Sequence, residues 1–198
     1  MNIAIFASGA GSNAAVIIKN LSTFIGSNKV SIALILTNNE NAGVINIAKT
    51  TNIPFVVIDF KSVDLQNISS SYLTILAQYN IDFIVLAGYL KKIPVELVQK
   101  FPQKIVNIHP ALLPAYGGKG MYGMRVHEAV IAAKEKKSGI TIHYVDEVYD
   151  HGKIIFQATC NLEEGETAET LAKKINVLEH KHYSEEISKI LLSQIPVK

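Results

Sequence analysis

The stretch Ile3-Ala4-Ile5-Phe6-Ala7-Ser8-Gly9-Ala10-Gly11-Ser12-Asn13 decides the fold of this chain. Its first five residues are all apolar, which predicts a buried strand over 3–7. The glycines and short polar residues that follow predict a tight turn, and the next residues predict a helix over 14–21. A strand, a glycine-rich turn and a helix in this order begin a strand–helix–strand unit, so the sequence predicts an α/β fold.

The same alternation continues through the first half of the chain. Apolar runs predict strands over 30–36, 55–58, 83–87 and 104–106, and helices are predicted over 42–51 and 72–79. The polar residues 61–71 predict a loop or the start of a helix. Because the apolar runs are nearly continuous, we expect a doubly wound, mostly parallel sheet that is covered on both faces and has right-handed crossovers.

The pattern changes after Pro114. A helix is predicted over 126–133, and two strands over 139–145 and 153–160 form a predicted hairpin that makes the sheet mixed. Leu171, Ile175 and Leu178 recur on one face of a long C-terminal helix over 167–192. We expect one domain over 1–198 with two halves, 1–100 and 101–198, since the chain is long enough for one sizeable core.

Composition narrows the function classes. The net charge of +2 comes with scattered lysines, which argues against nucleic acid as a partner. No apolar run approaches the length of a membrane span, and the start of the chain lacks the basic residues of a signal peptide. Cys160 is the only cysteine, so no intrachain disulfide can form, and we expect a cytoplasmic protein.

The turn after the first strand has the chemistry of an anion site. Backbone N–H groups at Gly11, Ser12 and Asn13 would face an anion at the start of a helix. The turn also fits a loose dinucleotide fingerprint, but the acid expected after the second strand is replaced by Thr37-Asn38-Asn39. A single phosphate fits better than a dinucleotide, and a simple capped turn is the structural alternative.

A second candidate site lies where the predicted strand over 104–106 ends. Asn107 and His109 are two residues apart, so an extended backbone points both to one side. An amide can donate to an oxyanion, and an imidazole can move a proton. The alternative is a buried histidine with structural hydrogen bonds only. Asp150, in the predicted hairpin turn, reads from its own neighbours as a solvated turn residue, although a carboxylate near His109 would stabilise the protonated ring.

Several other reaction types have no motif in the sequence. His143 lies on an apolar strand, where a packed, hydrogen-bonded histidine is the expectation. The sequence contains no HExxH motif and no cluster of cysteine and histidine, so no metal is expected. It also lacks the GxSxG elbow of hydrolases and the phosphate loop of nucleotide hydrolases.

Taken together, these motifs resemble those of the phosphoribosylglycinamide formyltransferases, a family of folate-dependent enzymes, over nearly the whole chain. The resemblance rests on three segments and on the spacing of His143 and Asp150. The segments are residues 8–13, Val85-Leu86-Ala87-Gly88-Tyr89-Leu90-Lys91, and Asn107-Ile108-His109-Pro110-Ala111-Leu112-Leu113-Pro114. Residues 152–157 and Glu179-His180 complete it. The resemblance implies a Rossmann-like formyltransferase fold.

By this resemblance, the reaction moves a formyl group from 10-formyltetrahydrofolate, as co-substrate, to the amino group of 5'-phosphoribosylglycinamide (GAR). The products are formyl-GAR and tetrahydrofolate, a step of de novo purine biosynthesis. The partners are these two small molecules, without nucleic acid, membrane or metal, and the protein is a monomer or a homodimer. The first half would bind the nucleotide phosphate, and the second half would hold the catalytic and folate-binding residues.

The resemblance also assigns roles to residues. Asn107, His109 and Asp150 would be catalytic, with His143 supporting them. The ribonucleotide would be bound by Gly11, Ser12, Asn13 and Glu179. The folate would contact Leu90, Lys91, Lys92, Ile93, Asn107, Asp146, Glu147, Val148, Tyr149 and Asp150.

Some positions depart from the family pattern, and other functions stay open. Ala111 stands where serine is common, Leu90-Lys91 replaces a common Met-Arg pair, and residues 61–72 contain no arginine for the folate tail. Methionyl-tRNA formyltransferase would need a C-terminal tRNA-binding domain, and 10-formyltetrahydrofolate hydrolase a further N-terminal domain. A dinucleotide-dependent oxidoreductase and a non-catalytic ligand-binding protein are the alternatives from other classes.

Overall fold

A computed structural model describes residues 1–28, 30–60 and 67–194. Its strands form one sheet in the order β3-β2-β1-β4-β5-β6-β7, and the chain divides into two compact units, Met1–Asn107 and Ile108–Lys198. In chain order the elements are β1 (Asn2–Phe6), α1 (Ser12–Asn28), β2 (Ser31–Thr37), α2 (Val44–Thr50), β3 (Phe55–Val57), α3 (Ile68–Gln78), β4 (Phe83–Leu86), α4 (Val95–Lys100), β5 (Ile105–His109), α5 (Met124–Ala132), β6 (Lys137–Tyr144), β7 (Ile154–Asn161) and α6 (Ala168–Gln194).

The first unit contains the parallel part of the sheet. β1 pairs with β2 on one side and β4 on the other, and β3 and β5 extend the sheet beyond them. Residues 3–6 of β1 are fully buried, as the unbroken apolar run predicts. Since β1 and β4 are neighbours but not consecutive, the loops at their carboxyl ends lie at the switch point where open α/β sheets bind ligands. The predicted doubly wound fold is confirmed.

Two helices of the first unit differ from the prediction. α3 begins at Ile68, four residues before the helix predicted over 72–79 and within the polar residues 61–71, for which a loop or the start of a helix is predicted. α4 was not predicted, since its six residues are too few to show a helical period. Part of the polar stretch predicted as a loop or helix start, residues 61–66, lies outside the described residues.

The second unit contains the predicted hairpin. β6 and β7 pair antiparallel, with Thr141 opposite Gln157. Gly152 lies in the turn between them, where a Cβ atom would fall 1.8 Å from the carbonyl oxygen of Tyr144, so only glycine fits. The mixed character of the sheet and the long C-terminal helix are therefore confirmed.

Buried polar contacts fix the loop after β5 against this hairpin. The Thr141 hydroxyl donates to the Ala111 carbonyl and accepts from the Leu113 N–H group. The Gln157 amide donates to the same hydroxyl and to the Leu113 carbonyl. Ala111 is fully buried, so the missing serine hydroxyl leaves the loop anchored through its backbone.

Helix α6 buries its apolar face along most of its length. Leu171 and Ile175 are buried as predicted, whereas Leu178 is half-buried and the apolar face continues instead through Ile187 and Leu191. In the described part of the chain, no helix combines the length and the apolar character needed to cross a membrane.

Candidate active site

Three of the predicted site residues meet inside the second unit. The Nδ1 atom of His109 lies 3.5 Å from Oδ2 of Asp150, and Nε2 of His143 lies 3.7 Å from Oδ1 of the same carboxylate. Both histidine side chains are almost fully buried, whereas that of Asp150 is 12% exposed. One carboxylate therefore lies between two imidazoles, with a small part of its surface open to solvent.

Backbone carbonyls fix the orientation of both rings. Nε2 of His109 is 2.8 Å from the Tyr116 carbonyl oxygen, and Nδ1 of His143 is 2.9 Å from that of Tyr144. A carbonyl can only accept, so each of these ring nitrogens carries a hydrogen. In His109 this leaves Nδ1 facing a carboxylate oxygen of Asp150.

The backbone of the hairpin turn brings Asp150 into the cluster. Asp150 has φ of 54°, a left-handed conformation that aspartate tolerates better than most residues. Its Oδ2 atom also accepts a 2.9 Å hydrogen bond from the Gly118 N–H group. Asp150 is therefore a turn residue whose carboxylate also lies next to His109, so the two interpretations do not exclude each other.

The surroundings of His143 shift its pKa. Burial lowers the pKa of His143, and the charge of His109 lowers it further, while the Tyr144 carbonyl, Asp150 and Asp146 oppose this shift. Burial is the largest of these effects, so the protonated form of His143 is disfavoured.

The sequence patterns did not single out His127. This residue is buried on α5, between Val126 and Val130 on the apolar face of the helix. Its Nδ1 atom is buried without a hydrogen-bond partner among the described residues. Burial lowers the pKa of His127, and the charge of His109 adds to this effect. The only signal in the sequence was a histidine on an apolar helical stripe, which usually marks a packed core residue.

Asn107 is the last residue of the first unit. It is half-buried on β5, where it pairs with Leu86 of β4, and His109 follows two residues later on the same strand. Side chains at this spacing point to the same face of a strand. The predicted amide and imidazole are thus presented by one strand.

The predicted anion site lies at the start of α1. The helix begins at Ser12, which is exposed, and its first turn contains no acidic residue to repel an anion. β2 ends at Thr37, and the next residue, Asn38, accepts a hydrogen bond from the Ser8 hydroxyl. An amide therefore occupies the place where dinucleotide-binding proteins carry the acid that binds a ribose.

Ser8 joins the anion loop to the predicted folate segment within the first unit. Its N–H group donates to the Gly88 carbonyl, and its hydroxyl accepts from the Leu90 N–H group at 2.9 Å. Leu90 is 53% exposed, whereas Ile93 is 4% exposed and belongs to the core. Lys91 lies over the Phe60 ring, with its Nζ atom 4.8 Å from the ring centre.

The remaining predicted residues are on the hairpin turn and on α6. Asp146 accepts from the Val148 N–H group and pairs with the exposed ring of His151, so its carboxylate is bound within the turn. Val148 and Tyr149 are 59% and 40% exposed. Glu179 is half-buried on α6, where it helps burial to raise the pKa of Tyr183.

The cluster can stabilise charge and transfer protons. An imidazole next to a carboxylate is a pairing that enzymes use to stabilise a developing oxyanion and to transfer protons. In residues 1–28, 30–60 and 67–194, no three or more His, Cys, Asp or Glu side chains are arranged so that they could hold a metal ion.

Comparison with known proteins gives a consistent result. The model of the formyl transferase family matches residues 1–187. Phosphoribosylglycinamide formyltransferase of Bacillus subtilis is 36% identical over 189 residues, which cover 95% of this chain and 93% of that protein. The chloroplastic enzyme of the same name from Arabidopsis thaliana is 44% identical over 98% of this chain, which spans only 66% of its length.

A solved structure agrees with these relatives. The crystal structure of phosphoribosylglycinamide formyltransferase from Bacillus halodurans superimposes with a TM-score of 0.87 and 38% identity. The match covers 96% of this chain and 95% of that one. The fold and the family resemblance predicted from the sequence are thereby confirmed.

Proposed function

Because the chain belongs to the formyl transferase family, we propose that it transfers the formyl group of 10-formyltetrahydrofolate to the amino group of GAR. The amine nitrogen forms a bond to the formyl carbon, and the bond from that carbon to N10 of the folate breaks. One proton leaves the amine and one reaches N10, so the step needs no further reactant. The products are formyl-GAR and tetrahydrofolate, as in purine biosynthesis.

The contact between His109 and Asp150 carries this proposal. Attack on the formyl carbon gives a tetrahedral intermediate with an anionic oxygen, which needs positive charge and hydrogen-bond donors nearby. The Asn107 amide supplies a donor, and His109 supplies the charge. Both ring nitrogens of His109 already face an oxygen acceptor, so His109 acts mainly as a fixed charge rather than as a proton carrier.

Asp150 is the proposed proton acceptor. Its carboxylate is the least buried member of the cluster, and it can receive the amine proton through a water molecule and return it to N10. The neutral ring of His143 accepts from the other side of the carboxylate while Asp150 is protonated. The side chains of His109, Asp150 and His143 thus share the changes in charge during the reaction.

Substrate binding is assigned to backbone N–H groups and to side chains of three further segments. The phosphate of GAR would bind the N–H groups of Gly11, Ser12 and Asn13, and Glu179 would contact its ribose or glycinamide part. The folate ring would lie against Leu90-Lys91-Lys92-Ile93 and the turn from Asp146 to Asp150. Lys91, which lies over Phe60, offers a cation for the folate tail, since residues 61–72 contain no arginine.

One assay tests this function. The protein is incubated with both substrates, and the release of tetrahydrofolate and the formation of formyl-GAR are followed together. We expect both products in equal amounts, and none when GAR is omitted. Release of tetrahydrofolate and formate without GAR would instead identify a hydrolase, and no turnover with both substrates would refute the proposal.

A further inference from the structure

One short backbone segment contacts both His109 and Asp150. In the 116–118 segment, the Tyr116 carbonyl oxygen accepts from Nε2 of His109 at 2.8 Å. Two residues later, the Gly118 N–H group donates to Oδ2 of Asp150 at 2.9 Å. The segment thus contacts Nε2 of His109 and Oδ2 of Asp150.

These contacts connect the 116–118 segment to both members of the catalytic pair, which also contact each other. The Oδ2 atom that accepts from Gly118 is the same atom that lies 3.5 Å from Nδ1 of His109. A shift of the segment therefore changes the orientation of the His109 imidazole and the position of the Asp150 carboxylate together. Since charge stabilisation depends on geometry held before the reaction, such a shift would slow the chemical step.

The segment has a backbone conformation that L residues seldom adopt. Tyr116 has φ of 59° and Gly118 has φ of 95°, both in the left-handed region. A Cβ atom on Gly118 would meet nothing within 4 Å, so space does not restrict this position. The requirement at Gly118 is conformational, because an L residue rarely reaches this φ without moving its N–H group.

We propose that Gly118 is a positioning residue for formyl transfer, whose N–H group holds the Asp150 carboxylate in its working position beside His109. This inference rests on the proposed function, because it assumes that His109 and Asp150 are the reacting pair. Gly118 needs no contact with either substrate. Its effect reaches the reaction through Asp150, so substitution should lower kcat and leave the KM for GAR unchanged.

Gly120 provides a matched control. It lies in the same glycine-rich segment with φ of 91°, and a Cβ atom there would also meet nothing within 4 Å. Gly118→Ala and Gly120→Ala therefore impose similar backbone strain, and only the first displaces the N–H group bound to Asp150. We expect G118A to lower kcat by about 10- to 100-fold, as for a misplaced catalytic group, and G120A to stay near the wild type.

A spectroscopic readout separates this proposal from the proposed function. The ring C–H resonances of His109 and His143, assigned with single His→Gln variants, should shift in G118A and stay in place in G120A, whether or not the protein transfers a formyl group. Absence of wild-type turnover would refute the function alone. Equal rates and equal spectra for the two alanine variants would overturn the role of Gly118.

Amide exchange in the wild type covers the case in which G118A does not fold. The Gly118 amide hydrogen should exchange more slowly than that of Gly120, and this difference should disappear in Asp150→Ala. An unprotected Gly118 amide in the wild type, or one whose protection survives in Asp150→Ala, would overturn the proposal.

Discussion

The two compact units carry different kinds of polar groups. The first unit, Met1–Asn107, has no histidine, and its proposed anion site consists of backbone N–H groups and neutral side chains such as Ser12 and Asn13. All six histidines of the chain, at 109, 127, 143, 151, 180 and 182, lie in the second unit. The proposed phosphate site thus lies in the first unit, whereas every imidazole, the side chain that titrates closest to neutral pH, lies in the second.

This difference explains why the two sites differ in how easily a sequence reveals them. A backbone anion site needs glycines and short polar residues in one continuous turn, and such a turn can be recognised locally. A cluster of charged side chains is assembled by tertiary contacts. The Gly118–Asp150 hydrogen bond, for example, joins residues 32 positions apart.

The largest expected effect is that of Asp150→Asn, which removes the charge next to His109 and His143 while keeping the shape. We expect kcat to fall by about 10²–10⁴-fold, as for loss of a positioned catalytic group, with little change in the KM for GAR. Steady-state kinetics measure both constants. Glu169→Gln, which removes an exposed carboxylate of the same unit, should behave like the wild type. A D150N rate within a few fold of the wild type would remove the second unit's role in chemistry.

Ser12→Asp tests the binding role of the first unit. A carboxylate at the start of α1 would repel the GAR phosphate, and from the repulsion of like charges at short range we expect the KM for GAR to rise about 30- to 100-fold. Asn20→Asp adds the same charge to an exposed position later on the same helix and serves as the control. If both variants have the wild-type KM, the phosphate binds elsewhere.

The buried tyrosine pair of the first unit should affect stability and not chemistry. The hydroxyls of Tyr72 and Tyr89 are 2.5 Å apart, and burial raises the pKa of Tyr72 to about 12, so both stay neutral. Tyr72→Phe removes one partner and should lower the free energy of unfolding by about 1–2 kcal/mol. Denaturant titration measures this loss, which Y72F/Y89F should partly restore by removing the other hydroxyl. An unchanged midpoint in Y72F would show that the pair contributes little.

The smallest effect concerns the pH dependence of stability in the second unit. Burial holds the pKa of His143 below its usual value of 6.5, so the unfolded chain binds this proton first as the pH falls. Stability is therefore fully present above pH 6.5 and decreases as the pH falls toward the folded-state value.

His143→Gln removes this effect. Between pH 7 and 5 the variant should lose less stability than the wild type, with a difference below about 1 kcal/mol. Thermal unfolding across this range provides the measurement. His151→Gln, at a side chain that is 74% exposed, should keep the wild-type slope. If His143→Gln loses as much stability as the wild type, other groups cause the pH dependence, and His127 is the next candidate.

The sequence predicted most of the fold because buried parallel strands are unbroken apolar runs. It did not predict α4, whose six residues show no period, and it left open whether residues 61–71 form a loop or the start of the helix that begins at Ile68. The hairpin was predicted from its two strands and the turn between them. Local signals are thus sufficient where burial on both faces fixes the residue type.

The candidate site was only partly predictable. Asn107 and His109 stand out because they end a buried strand, whereas Asp150 has the local sequence of a solvated turn and was identified through family resemblance. His127, the Tyr116 carbonyl and the Gly118 N–H group were not predicted. Their roles depend on contacts that no local pattern encodes, and two of them are backbone groups whose partners lie far away in the sequence.

The division between binding and chemistry is tested most directly by the double variant Ser12→Asp/Asp150→Asn. Its kcat/KM for GAR, compared with those of the two single variants, shows whether the changes act on one step or on two. If the first unit binds the phosphate and the second performs the transfer, the two losses multiply, because independent effects add as free energies. A double variant no slower than D150N alone would contradict this division.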